Sequence, residues 1–124
     1  MDFIYTLSKL IVVFGILNVW LLRFKKDTPY RGASSKNLKD EFMAYGYPVW
    51  FFYVIGVLKL SFASLILLGF WYPIYLVQLG ALGMVFLMIG AVFSHIKVHD
   101  APKKYMPASI MLALSLFVFL GSFL

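Results

Sequence analysis

The sequence contains no cysteine. That absence excludes a disulfide, a thiolate metal site, a cysteine-held iron–sulfur cluster and a Cys-Xaa-Xaa-Cys redox centre. Membrane thiol oxidoreductases of similar four-helix architecture are excluded as a chemistry for the same reason. Acidic residues are scarce too: five among 124, against eleven Lys and Arg. Charged residues make up 13% of the chain, where soluble domains carry about 25%. What fills the chain is apolar: 63% of the residues are hydrophobic, and the mean hydropathy is +0.91.

Four apolar runs, Phe3–Leu22, Val49–Trp71, Ile74–Phe93 and Tyr105–Leu124, hold 83 of the 124 residues. Each matches the roughly 20 residues that cross a bilayer core as a helix. The remainder is one long loop, one shorter loop and a tight turn, with no room for a separate soluble catalytic domain. The expected fold is all-α: a transmembrane antiparallel four-helix bundle in one domain. The first run has no basic segment before it, and its positive charge follows it, so a retained span is expected in place of a cleaved signal peptide.

Nine of the eleven basic residues lie in two places. Arg23, Lys25, Lys26, Arg31, Lys36 and Lys39 follow the first run; Lys97, Lys103 and Lys104 follow the third. Both loops belong on one side of a four-span protein, and basic loops favour the cytoplasm. The sequence therefore predicts cytoplasmic basic loops and both termini outside, in a bacterial plasma membrane. The positive charge is a topology signal and a contact for anionic lipid, and nucleic acid is not an expected partner.

Thr28–Gly32 reads as a turn. Residues 36–45 read as a short amphipathic helix, with Leu38, Phe42 and Tyr45 on one face, lying in the membrane interface. Gly46 ends it, and Pro48 suits an early position of span two. Trp20, Tyr45, Tyr47, Trp50, Trp71, Tyr72, Tyr75 and Tyr105 fall near span ends, as interfacial aromatic rings do.

Small residues mark helix contacts in lipid. Span one offers Ser8, Ile11, Gly15 and Asn18; span two Phe52, Gly56, Lys59, Ala63, Ile66 and Phe70. Span three offers Gly80, Gly83, Leu87, Gly90 and Ser94, and span four Ser109 and Ala113. Lys59 falls on its inward stripe, ten residues after Val49 and twelve before Trp71. It is then ~15 Å from either surface at 1.5 Å per residue, beyond the reach of a lysine stem. An intramembrane ionisable residue is a functional candidate. No acid lies within a span, so its partners are sought among Asn18, Ser94, His95, a tyrosine, water and Glu41 of the interfacial helix. Lys9, six residues into span one, is expected to snorkel outward. His95 and His99 share a helical face if the helix extends that far, but lack the third ligand of a specific metal motif. No metal, haem or other intrinsic cofactor is expected.

Two stretches carry a family resemblance. One is Lys39-Asp-Glu-Phe-Met-Ala-Tyr-Gly-Tyr-Pro-Val-Trp, running on to Gly56-Val-Leu-Lys-Leu. The other is Leu87-Met-Ile-Gly-Ala-Val-Phe-Ser-His-Ile-Lys-Val-His-Asp, running on to Pro107-Ala. Together they resemble the DoxX-like family of small four-helix membrane proteins. The family takes its name from a subunit of a thiosulfate:quinone oxidoreductase, and relatives are linked to quinone or catechol stress and to membrane-protein assembly. The resemblance implies the fold strongly and the activity weakly. The matching positions are Glu41, Tyr45, Gly46, Pro48, Trp50, Gly56, Lys59, Gly90, His95 and Asp100; of these, Glu41, Tyr45, Trp50, Lys59 and His95, with Asn18 added from the span-one stripe, form the expected ligand site. Two readings stand. One is a binder of a small apolar or quinone-like ligand, or of a lipid, accessory to a membrane redox system. The other is a non-enzymatic assembly subunit bound to a membrane protein partner or to its own copies. No self-contained catalytic constellation is present in the sequence.

Overall fold

The computed structural model describes residues 2–22 and 36–124. Among them every regular element is helical. Helix α1 (Asp2–Leu17) runs into a π-helical turn (Asn18–Leu22), followed by α2 (Leu38–Ala44), α3 (Val49–Leu68), α4 (Tyr75–Lys97) and α5 (Pro102–Gly121). The turn expected at Thr28–Gly32 and the basic residues Arg23, Lys25, Lys26 and Arg31 lie outside the described residues.

Four helices are long and apolar enough to cross a membrane, and the chain is an integral membrane protein. Helix α1 packs on α3 and α5, and α4 packs on the same two, which closes a ring of four spans. One end of this bundle carries Lys97, Lys103 and Lys104 and is called here the basic end. The other holds the uncharged turn around Trp71 and is called the neutral end.

The ends of the spans differ from expectation by a few residues, for local reasons. At the neutral end α3 stops at Leu68, where the chain tightens and the Phe70 and Trp71 amides bond the carbonyls three residues back, Leu67 at 3.2 Å and Leu68 at 3.0 Å. Helix α4 continues to Lys97, since charged residues end an apolar run without ending a helix. It closes when His99 takes a left-handed φ of 59°. The His99 amide then bonds the Ile96 carbonyl and the Asp100 amide the His95 carbonyl, each at 3.0 Å. This is a Schellman closure with histidine where glycine is usual. Pro102 opens α5, its fixed φ already helical.

The inward stripe of α3 is the expected one: Phe52, Gly56, Lys59, Ala63 and Ile66 are buried. Span one is rotated from the expected stripe. Val12, Val13, Ile16 and Trp20 are buried, whereas Ile11 and Asn18 are exposed. Toward α3 the vacancy that lets α1 approach is on the partner, where Gly56 receives the Trp20 ring, while toward α5 Gly15 meets Met111. The same rotation corrects the reading of Lys9. It is 7% exposed, with its ammonium 4.6 Å from the Tyr5 ring centroid and 4.1 Å from that of Phe70. Its stem does not snorkel outward; it is held between two rings. On α5 the buried positions are Ser115 and Val118, and Ala113 is exposed.

Candidate functional site

Helix α2 positions the first group of polar side chains. Asn37 caps it, its side-chain oxygen accepting the Asp40 amide at 2.8 Å, which satisfies one of the free N–H groups of a helix start. Leu38, Phe42 and Tyr45 are buried, so the expected apolar face faces the bundle. Past Tyr45, Gly46 takes a φ of 90°, a left-handed backbone that suits glycine. The chain then turns into α3 through Pro48. Lys97, from the end of α4, donates to the Tyr45 carbonyl at 2.9 Å and secures this corner.

Four ionisable side chains converge beneath that corner. The Tyr45 hydroxyl donates to Glu41 Oε1 at 2.6 Å. His95 Nε2 lies 3.2 Å from the same hydroxyl and 3.5 Å from Glu41 Oε1. Its Nδ1 lies 2.8 Å from Asp100 Oδ2. A carboxylate only accepts, so Nδ1 carries the proton that goes to Asp100. Burial, and then the charge of Glu41, push the Tyr45 phenol far above its ordinary range. The phenol therefore remains a hydrogen-bond donor throughout the working pH range. Alongside, the Ser94 hydroxyl donates to the Gly90 carbonyl at 2.8 Å and accepts from Tyr47 at 2.7 Å.

The second group is built around Trp20. Its ring stacks on Phe52 at 5.3 Å and meets Phe42 edge-on at 5.7 Å. A Cβ at position 56 would sit 2.8 Å from that ring, so only glycine leaves Trp20 its place. One turn further along α3, the Lys59 ammonium lies 5.3 Å from the Trp20 centroid, within cation–π reach. Lys59 is 8% exposed. Glu41 is the carboxylate whose charge reaches it, but no acid among the described residues is within ion-pair distance, and its ammonium makes no hydrogen bond there.

Both groups open into one cavity of about 700 Å³, bounded by α1, α2, α3, α4 and α5. Its walls are mostly aliphatic and aromatic. Lys59, Glu41, Tyr45, Tyr47, Ser94 and His95 line it. Asn18 lines it as well, from an exposed position at the start of the π-helical turn. Of the six residues expected at the site, five therefore meet here. Trp50 stands apart: it is 64% exposed, off the cavity wall, with its ring against Phe51. His99 is exposed and turned out of the helix, so it does not share a face with His95. No group of three metal-ligating side chains forms among the described residues.

Trp20 and Tyr47 belong to this arrangement and were not assigned to it from the sequence, whereas Asp100 is one of the positions that carry the family resemblance and joins through His95. Trp20 follows Ile16 by four residues, a helical repeat that, combined with Gly56, was the available signal. Chemically, the cavity offers an apolar body, one ammonium donor in its wall and a chain of groups able to pass protons between Asp100 and Glu41.

The family model described as the DoxX-like family matches residues 31–118, well over half of the chain. No curated protein and no solved structure matches.

Proposed function

The chain belongs to the DoxX-like family, and we propose that it binds a small apolar, quinone-like molecule in the cavity between its spans, as accessory to a membrane redox system. The observation that carries this reading is Lys59. Placing a charged group at the centre of a bilayer costs roughly 2.5–3.5 kcal/mol on insertion scales. Here the ammonium faces the cavity and makes no hydrogen bond among the described residues, while Trp20 covers one side of it. A ligand carbonyl supplies the missing acceptor. The cavity volume falls within the roughly 300–1,000 Å³ of small-molecule sites, which are apolar with few polar groups. Trp20, Phe42 and Met88 give the cavity apolar walls for a planar ring, and Glu41, Tyr45 and His95 line the same cavity to exchange protons with it.

The competing reading, an assembly subunit that docks a partner helix, draws on the small-residue face of α4. Gly80 and Gly83 of that face are taken up by Phe62 and Leu65 of α3, which favours the ligand reading. The charge asymmetry supports an orientation with the basic end cytoplasmic and both termini outside.

The test is ligand retention. Protein purified in mild detergent is extracted and the extract analysed by mass spectrometry, beside Lys59→Met, which keeps length and removes the charge. The expected result is a stoichiometric quinone or related aromatic in the wild type and none in a folded Lys59→Met. A wild type free of any such molecule that also fails to bind an added benzoquinone sinks the proposal.

A further inference from the structure

The antiparallel seam between α3 and α4 is closed over one half and open over the other. Toward the neutral end the fit leaves no space. A Cβ at Gly83 would overlap the Phe62 ring, and one at Gly80 would sit 2.7 Å from the Phe62 carbonyl and 3.0 Å from Leu65 Cβ. The register that places Phe62 on Gly83 and Leu65 on Gly80 brings Ile55 opposite Gly90. There the fit stops: a Cβ at Gly90 would meet nothing within 4 Å. Gly90 is exposed, yet it lines the cavity together with Phe51 and Ile55 of α3 and Phe86 and Phe93 of α4. Phe86 and Phe93, one turn to either side of Gly90, are 66% and 62% exposed. The Tyr47–Ser94 hydrogen bond closes the seam at the basic end.

We infer that this gap is a lateral portal from the lipid, through which a ligand with a single long apolar tail takes its ring to Lys59 and leaves its tail between Phe86 and Phe93. The inference rests on the ligand reading above and adds the tail and its route. Three observations carry it. The gap is continuous with the cavity that holds the buried Lys59 ammonium. Its sides, Phe51 and Ile55 on one helix and Phe86 and Phe93 on the other, are apolar, so it passes hydrocarbon and not ions. Its shape also suits a chain better than a partner helix. Close helix contact in lipid needs small residues that let backbones meet, whereas Gly90 lies between two projecting phenylalanines.

The experiment uses 2,3-dimethoxy-5-methyl-1,4-benzoquinone with and without a decyl chain. Binding is read as quenching of Trp20 in a Trp50→Phe/Trp71→Phe background, where it is the sole tryptophan. In the parent the decyl compound binds more tightly than the bare ring. Gly90→Phe plugs the gap at a position where the added Cβ meets nothing within 4 Å. It should weaken the decyl compound roughly tenfold or more, leave the bare ring within about twofold, and keep the melting temperature. Phe86→Ala, which widens the gap, should speed decyl association and serves if Gly90→Phe does not fold. An unchanged decyl affinity in folded Gly90→Phe overturns the portal, and so does an equal loss for both compounds or an unaltered association rate in Phe86→Ala. A parent that binds neither compound overturns the ligand reading, and the portal with it.

Discussion

Tyr45 and Glu41, one turn apart on the same short helix, share a 2.6 Å hydrogen bond that is buried at the basic end of the bundle. The phenol donates a hydrogen bond to a carboxylate that also faces His95, so the pair connects α2 to α4. Asp100 continues the connection by holding the far nitrogen of the same imidazole.

Removing the phenol oxygen leaves Glu41 short of a donor in a buried site, which costs about 1–3 kcal/mol. Tyr45→Phe should therefore melt at lower temperature at neutral pH. Its alkaline behaviour differs in sign. The folded state holds the Tyr45 proton more tightly than the unfolded chain does, so this contribution is complete below pH ~10, the ordinary tyrosine value, and declines as pH rises beyond it. The gap in melting temperature between wild type and Tyr45→Phe should narrow above pH ~10; a constant gap up to pH ~11.5 contradicts the burial argument.

Lys9 sits against the faces of Tyr5 and Phe70, where the ring quadrupoles attract a cation. Lys9→Met should change stability by less than about 1 kcal/mol, since a lost cation–π attraction of ~0.5–2 kcal/mol is offset by the end of a desolvation cost. Lys9→Glu places an anion on two negative ring faces and should cost more than about 2 kcal/mol. Thermal melts in detergent decide the matter, and equal stability of the two variants contradicts it.

Two glycines on one helix should respond oppositely to added bulk. Gly83→Val drives a branched side chain into the Phe62 ring and should cost about 1–3 kcal/mol through overpacking. Gly90→Ala meets open space and should gain about 0.5–1 kcal/mol from reduced chain freedom. If Gly90→Ala destabilises as Gly83→Val does, the seam is closed at both positions.

Orientation is tested by reporter fusion. A reporter after Leu124 should register outside the cytoplasm, and one inserted between Ala33 and Ser35 should register inside, following the basic loops. A cytoplasmic signal from the C-terminal fusion reverses the orientation.

Much of this arrangement was legible because it is one-dimensional. Lys59 could be placed by counting from both ends of an apolar run, and its direction followed from Gly56 and Ala63 on the same stripe. The α2 face followed from the spacing of Leu38, Phe42 and Tyr45. Features set by two elements were not legible. Trp20 reads as an interfacial ring until Gly56, on another span, is seen to receive it. Lys9 reads as an outward cation until the bulk of Val12, Val13 and Ile16 fixes the rotation of α1. Asp100 reaches His95 only because His99 takes the left-handed conformation that closes α4, and no composition rule places histidine there. The π-helical turn at Asn18–Leu22 has no signature in the local residues.

The uneven seam between α3 and α4 also divides the pair mechanically. Interlocked at Phe62, Gly80 and Gly83 and joined by the tight turn beyond Leu68, the two helices pivot at the neutral end. Their basic ends are joined across the seam by the Tyr47–Ser94 hydrogen bond and by Lys97 reaching to the Tyr45 carbonyl. Release of these ties should therefore let the pair open from the basic end like tongs. Amide exchange on α4 should be slowest from Gly80 to Met84 and should quicken toward Gly90, with Tyr47→Phe accelerating only the latter.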